Sequence, residues 1–291
     1  MKIIITIPAY NEEKTLPKVI AEIRQVMEKT DYDYQIMVLN DGSIDQTKRV
    51  AEEAGAIVFS NKRNKGLADT FKHEIKRCLE LNADIIVHTD ADGQYPAIYI
   101  PQLIEKLNKG YDLILGSRFG KGNYSGSLMK NIGNKTFAKV FSGLLKVKLT
   151  DTTTGFRAFT REVAELPLIN NFTYTQEQLI RAGKEKMKIG EVPITTNRTR
   201  KSRLFKNPFD YAIKAWINIF RIYRDFEPIR FFGLIGFLSI IFGMLIGVYF
   251  VYLHFTSGIS GHLGLLFLML ILLVFGVQTI LFGFIADMIR K

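Results

Sequence analysis

The chain has 291 residues, a formal charge of +11 and 47% hydrophobic residues. This apolar content excludes a disordered chain, and a single cysteine, Cys78, excludes an internal disulfide framework. No cleavable leader is expected, because MKIIITIPAYNEE meets proline and charge after only a few apolar residues. In chain order, strand-like runs occupy Lys2 to Ala9, Tyr34 to Asn40, Ala56 to Ser60, Asp84 to Asp90 and Asp112 to Ser117. They are short, β-branched and nearly continuous in apolar residues, the pattern of strands covered on both faces. Helical stripes lie between them: Val19, Ile20, Ile23, Val26 and Met27, then Phe71, Ile75, Leu79 and Leu81. This alternation predicts an α/β domain, Rossmann-like, with a mainly parallel sheet and helices on both faces.

Further along, Phe209, Ile213, Trp216, Phe220 and Tyr223 recur at three- or four-residue steps, with Lys214, Asn218, Arg221 and Asp225 opposite. That is an amphipathic helix suited to a membrane interface. The stretch around Phe137, Val140, Phe141 and Leu144 is a second candidate. Two uncharged runs follow, Phe231 to Phe255 and Leu263 to Ala286, each longer than the ~20 residues that cross a bilayer core. Arg221, Arg224 and Arg230 flank one side and Arg290 and Lys291 the other, while the connector Thr256 to His262 has no Lys or Arg. The positive-inside rule puts both flanks, and so both termini, in the cytoplasm. The expected organisation is a cytoplasmic catalytic domain over 1–206, an interface helix over 207–228 and a transmembrane hairpin over 229–291, with spans at 231–255 and 263–286. Residues 181–230 hold 13 Lys or Arg against 5 Asp or Glu. Beside a membrane hairpin, that excess points to lipid headgroups or an anionic lipid-borne substrate, not to nucleic acid.

In such a sheet, ligands sit beyond the carboxyl ends of the strands. Those ends carry Pro8-Ala9-Tyr10-Asn11-Glu12, Asn40-Asp41-Gly42-Ser43, Asp90-Ala91-Asp92-Gly93-Gln94 and Gly116-Ser117-Arg118. The G-x-G-x-x-G fingerprint and the P-loop are absent, which argues against a dehydrogenase or a nucleoside triphosphatase. Asp90 and Asp92, at i and i+2, project to one side of a strand end. Two carboxylates and the Gln94 amide oxygen suit a hard dication, Mg2+ or Mn2+, and the four His are too scattered for zinc. Because Mg2+ keeps positions open for phosphates, a nucleotide diphosphate is the natural partner.

The segments IPAYNE, NDGS, DADGQ and GSR, in this order and spacing, resemble the family 2 glycosyltransferases of GT-A fold. DTTTGFRAF (Asp151 to Phe159), followed by TQEQL and EVPI, is similar more narrowly to the polyprenyl-phosphate glycosyltransferases, such as dolichyl-phosphate mannose and glucose synthases of the archaeal type with two membrane helices. The resemblance implies that Pro8, Ala9, Tyr10, Glu12, Leu39, Asp41, Asp90, Ala91 and Asp92 hold a nucleotide-diphosphate sugar. It implies that Asp90, Asp92 and Gln94 bind the metal, and that Arg118, Lys130, Arg198 and Arg203 meet the acceptor phosphate. Asp90, Asp92 and Arg118 form the implied catalytic set. Two positions depart from the family pattern. Lys130 stands where an arginine is usual and lacks its planar fork, and Arg200 replaces a loop glycine.

The implied reaction is inverting transfer from UDP-glucose, UDP-N-acetylglucosamine or GDP-mannose to polyprenyl (dolichyl) phosphate. Its product is a lipid-phosphate-linked monosaccharide for protein or cell-surface glycosylation. The acceptor phosphate is already ionised, so Glu177 is expected to be structural or orienting instead of a base. A polysaccharide synthase of the same fold usually has more spans and a Q-x-x-R-W motif, which the surroundings of Trp216 lack. An inactive nucleotide-binding membrane adaptor would be expected to lose the metal carboxylates. A transporter would need intramembrane charge. The sequence leaves a homo-oligomer open.

Overall fold

The structure, a computed structural model, describes residues 1–119, 138–139, 141–143, 145–168, 174–197, 217, 220–221, 224–256 and 262–290. Five apolar runs form strands: β1 (Lys2–Ala9), β2 (Asp33–Asn40), β3 (Ile57–Ser60), β4 (Ile85–His88) and β5 (Leu113–Ser117). The fourth is shorter than the expected Asp84 to Asp90: it ends at His88, so Asp90 and Asp92 lie in the loop and turn that follow, not on the strand itself. Two strands not foreseen, β6 (Arg157–Thr160) and β7 (Ile189–Pro193), complete a sheet in the order β3-β2-β1-β4-β6-β5-β7 among the described residues. The pairs β1–β2, β1–β4, β2–β3 and β5–β7 are parallel, and β6 runs antiparallel between β4 and β5. The sheet is therefore mainly parallel with one reversed strand, and the other six strands end at one edge. From β1 the chain moves outward to β3, then returns to β4 on the other side of β1. That reversal opens a crevice beyond the ends of β1 and β4, where ligands bind in sheets of this kind.

The covering helices are α1 (Leu16–Met27), α2 (Thr47–Glu53), α3 (Leu67–Glu80), α4 (Ile100–Asn108), α5 (Arg161–Ala164) and α6 (Tyr174–Lys184). Helix α1 carries Pro17 in its first turn, where proline is tolerated, and buries Leu16, Val19, Ile20, Ile23 and Met27. In α3, Phe71 and Ile75 face inward as expected, but Glu74 and Cys78 complete that face, and Leu79 and Leu81 are only half-buried. The core joins Ile3, Ile5 and Ile7 of β1 to Ile20 and Ile23 of α1 and Leu103 and Ile104 of α4.

The chain divides into two compact units, Met1–Pro208 and Phe209–Lys291. The second contains α7 (Pro228–Thr256) and α8 (Leu263–Arg290), with mean hydropathies of 2.5 and 2.8 over their most apolar windows. Glycine lets their backbones touch. A Cβ on Gly236 would lie 2.5 Å from the Gly276 carbonyl oxygen, and one on Gly276 2.7 Å from that of Gly236. The Ser239 hydroxyl donates to the Leu272 carbonyl at 2.9 Å. Phe237, Phe242, Phe275 and Phe282 point outward. Both helices are thus long enough to cross a bilayer and present apolar flanks that water would not tolerate.

Most of the expected interface helix over 207–228 lies outside the described residues, although Ile217 and Phe220 are exposed. Phe141, in the other candidate stretch, is fully buried, so at that position the chain packs inside the first unit instead of facing lipid.

Candidate active site

The loops after β1 and β2 are tied together. The Asn11 amide N–H donates to the Ser43 hydroxyl at 3.0 Å, and the Ile44 N–H donates to Asn11 Oδ1 at 3.0 Å. Gly42 has a φ of 69°, and a Cβ there would sit 2.6 Å from the Arg63 carbonyl carbon, so both conformation and space require glycine. Asp41 is buried, and its carboxylate accepts from Asn61 Nδ2 at 2.7 Å and from the Lys65 and Gly66 N–H groups at 3.0 Å each. Glu12 is buried as well, and its carboxylate accepts the Thr15 hydroxyl at 2.8 Å. Of the residues the sequence places around a nucleotide, Tyr10 is exposed and Pro8 half-buried, while the Ala9 and Leu39 side chains lie inside the sheet. Glu12 and Asp41 hold the walls of this half of the crevice.

Beyond β4, Asp92 Oδ1 accepts the Gln94 N–H at 2.9 Å, closing a turn through Gly93 at a φ of 72°. Asn197 secures that turn, donating to the Gly93 carbonyl from Nδ2 at 3.0 Å and to the Gln94 carbonyl from its N–H at 2.9 Å. Ala91 is buried beside it. The Asp90 carboxylate lies against Gly155, where a Cβ would be 3.2 Å from Oδ1. Burial pushes the Asp90 carboxyl up to about 6; His88 and Arg118 oppose that shift, and the charges of Asp92 and Glu74 add to it. A carboxylate raised by burial and by its neighbour's charge gains most from a dication. The oxygen donors of Asp90, Asp92 and Gln94 therefore fit Mg2+ or Mn2+. Among the described residues no group of three or more His, Cys, Asp or Glu gathers.

Across the crevice, Arg118 follows β5. Its Nε and Nη2 donate to the two oxygens of Asp151 at 2.6 and 2.9 Å, and Nη2 also reaches the Thr153 hydroxyl at 2.8 Å. Asp151 is fully buried and Arg118 nearly so. Arg118 is therefore held in one plane by Asp151 and Thr153, with its charge balanced by Asp151. Asp151, Thr153 and Gly155 were not assigned roles from sequence, since they lie more than 30 positions from Arg118 along the chain. The next aromatic, Phe156, stacks on Tyr95 with centroids 5.2 Å apart. Arg157, the first residue of β6, is fully buried, and Nη1 donates to the Thr175 carbonyl at 3.0 Å and to Gln178 Oε1 at 3.1 Å. Glu177 is buried, and its Oε1 accepts from Arg181 Nε and Nη2 at 2.9 and 2.8 Å. Lys130, Arg198 and Arg203 lie outside the described residues.

Two cavities lie elsewhere. One of about 490 Å³ is lined by Lys72, Ile75, Lys76 and Leu79 of α3 with Leu166 and Leu168. Another of about 260 Å³ is lined by residues that include Met1, Asp84 and Ile85 at the amino edge of the sheet. Neither includes a residue from the carboxyl ends of β1, β2 or β4.

The order of the sheet, the paired carboxylates at its switch point and the arginine after β5 can now be set beside known proteins. Residues 4–166, more than half of the chain, match glycosyl transferase family 2. The chain belongs to this family. The glycosyltransferase AglJ of Haloferax volcanii is 28% identical over 97% of this chain and 91% of its own length, an alignment that takes in the helical hairpin. A dolichyl-phosphate hexose transferase of the same organism is 33% identical over 64% of this chain and 78% of its own. A UDP-N-acetylglucosamine–dolichyl-phosphate N-acetylglucosaminyltransferase of Methanococcus voltae is 31% identical over 69% and 87%. Among solved structures, glucosyl-3-phosphoglycerate synthase from Mycobacterium tuberculosis, in complex with Mn2+, UDP and glucosyl-3-phosphoglycerate, superposes with a TM-score of 0.60 at 20% identity. That match covers 76% of this chain and 78% of the synthase. The family 2 chain thus has a GT-A catalytic fold followed by two apolar helices, and it is a glycosyltransferase.

Proposed function

We propose that this enzyme transfers a sugar from a nucleotide diphosphate to the phosphate of a membrane polyprenol, with inversion at the anomeric carbon. The reading is supported by one juxtaposition: the charges of Asp92 and Arg118 both act on the buried Asp90 carboxyl, in a chain that also holds two helices of bilayer length. A UDP-linked N-acetylhexosamine is favoured as donor over GDP-mannose, because one relative is named for UDP-N-acetylglucosamine and dolichyl phosphate, while the other is named for a hexose without its nucleotide. Pro8 and Tyr10 would contact the nucleotide, and Asp41 and Glu12 would hold the loops that shape its pocket. Asp90, Asp92 and Gln94 would hold Mg2+ or Mn2+, which would neutralise the charge that develops on the diphosphate.

The acceptor is a phosphate monoester with a second pKa of about 6, so it is largely dianionic near neutral pH and needs no base. One of its oxygens bonds to the anomeric carbon as the bond to the nucleotide diphosphate breaks on the opposite side. The chain's task is to bring two polyanions together. Arg118 orients N–H donors at that meeting point. Lys130, Arg198 and Arg203 are proposed to supply the uncompensated positive charge that Arg118, paired with Asp151, does not. The hairpin keeps the polyprenol tail in the bilayer while its phosphate enters the crevice, which is catalysis by positioning. Both termini are proposed to face the cytoplasm.

Labelled UDP-glucose, UDP-N-acetylglucosamine and GDP-mannose, each incubated with the enzyme and dolichyl phosphate, should yield label in the lipid extract for at least one UDP sugar. Label that stays out of the lipid phase with every donor, but appears in a soluble acceptor, would overturn the lipid assignment. For topology, a Cys at Ser260 in a Cys78→Ser background should react with an impermeant thiol reagent on intact cells. Reaction at a terminal Cys instead would reverse the orientation.

A further inference from the structure

The segments DTTTG and EVP stand out in the sequence, yet transfer as described uses neither directly. They meet at the carboxyl edge. Glu191 lies on β7 opposite Leu115 of β5. Its Oε1 accepts from two consecutive backbone N–H groups, Thr150 at 2.7 Å and Asp151 at 2.9 Å, and its Oε2 accepts the Thr150 hydroxyl at 2.7 Å. The Thr150 hydroxyl also bonds the Ser117 hydroxyl, one residue before Arg118. Asp151 then grips Arg118 three times, at Nε, at Nη2 and at the backbone N–H, the last at 3.2 Å. Lys106 of α4 steadies the strand behind, donating to the Glu191 carbonyl at 2.7 Å.

A two-bond fork between a carboxylate and a guanidinium fixes the plane of the guanidinium. Any rotation of Asp151 is therefore passed to Arg118. The orientation of Asp151 depends on the backbone at 150–151, and a carboxylate holding two adjacent N–H groups fixes that backbone as a unit. We propose that Glu191 is a positioning residue for transfer: through residues 150–151 it sets Asp151, and through Asp151 it aims the Arg118 guanidinium. This rests on the reading of Arg118 as a phosphate contact given above.

A double-mutant cycle on the full-length enzyme in detergent tests it, using the UDP sugar that labels dolichyl phosphate. Glu191→Ala should lower kcat about tenfold, leave calorimetric affinity for UDP within about twofold, and change kcat by less than about twofold when Arg118 is already Ala. Glu191→Gln keeps an oxygen for both N–H groups and should recover kcat to within about threefold of the wild type. A similar loss in both backgrounds would make Glu191 a general support of the fold and overturn the inference, as would no loss in the wild-type background. If Glu191→Ala does not fold, Thr150→Val runs the same cycle with an expected loss of about threefold confined to the Arg118 background, and an additive loss again overturns the inference. Wild-type kcat and KM in Arg118→Ala alone would sink the reading of Arg118 itself, a result separable from additivity in the cycle.

Discussion

From β3 to β4 the sheet is parallel throughout and is built by strand–helix alternation, whereas from β6 to β7 it mixes directions and gathers segments near residues 113–117, 150–160 and 189–194. The polar groups of the two regions behave differently. In the first, side chains hold backbone: Asp41 accepts from the 65–66 amides and Asn11 from Ile44. In the second, Arg118 and Asp151 hold each other, and Glu191 holds the backbone at 150–151. The first half is a cradle shaped by turns, and the second a set of donors aimed by pairing. Asp90 stands at the seam, on the parallel half but packed against Gly155 of the other.

The largest expected effect is at that seam. Asp92→Asn keeps an oxygen for the Gln94 N–H, so the turn and fold should survive, but it removes the anionic charge of one proposed metal ligand. Transfer should fall about a hundredfold or more. Chelator should abolish activity and Mn2+ or Mg2+ restore it, and full turnover in excess chelator would refute metal dependence.

Asp41→Ala probes the cradle. It leaves the Asn61, Lys65 and Gly66 donors without their acceptor, and should cost about 2–4 kcal/mol of stability along with nucleotide affinity. Chemical denaturation and calorimetry with UDP would report the two effects separately. Weaker UDP binding at unchanged stability would mean that Asp41 contacts the ligand and does not anchor the 61–66 loop.

Asp90 gives the comparison a pH signature in the metal-free protein. Its folded pKa, about 6, lies above the ordinary 3.8. The folded state therefore holds the proton more tightly, and Asp90 costs nothing below about pH 4. The cost grows as pH rises from about 4 to about 6 and stays constant above, reaching at most about 3 kcal/mol. Other carboxylates also titrate in that window, so the informative quantity is the stability of Asp90→Asn minus that of the wild type. It should rise across pH 4–6 and level off. A flat difference would show that burial does not penalise the Asp90 charge.

How much of this was readable from sequence follows the same division. The runs of β1 to β5 show themselves because each is short, apolar and set between amphipathic helices, and the strand-end signatures then fall at one edge. Strands β6 and β7 escape because RAFT and IGEVP break their apolar runs with Arg157 and Glu191. A charge argues against a strand interior unless its partners are known. Arg157 is tolerated because Thr154, Thr175 and Gln178 accept from it. The pairing of Arg118 with Asp151 spans 33 positions and leaves no periodic trace. GSR and DTTTG could be recognised as segments, but not as partners.

The smallest predicted effect tests whether the halves are mechanically joined. Gly155 precedes Phe156, whose ring stacks on Tyr95, so the backbone at 155 has little room to retreat. A methyl at this position would stand 3.2 Å from Asp90 Oδ1 and 3.5 Å from Oδ2. Gly155→Ala should therefore move the Asp90 carboxylate by a few tenths of an ångström and leave the Arg118–Asp151 pair in place. Stability should change by less than about 1 kcal/mol, since the entropy lost by the unfolded chain offsets the tight contact. Activity should fall several-fold, about 1 kcal/mol in the barrier. The loss should appear as a higher Mn2+ concentration for half-maximal rate, with KM for dolichyl phosphate unchanged. If KM for the lipid rises and the Mn2+ requirement does not, Gly155 serves the acceptor half alone, and Asp90 does not couple the two.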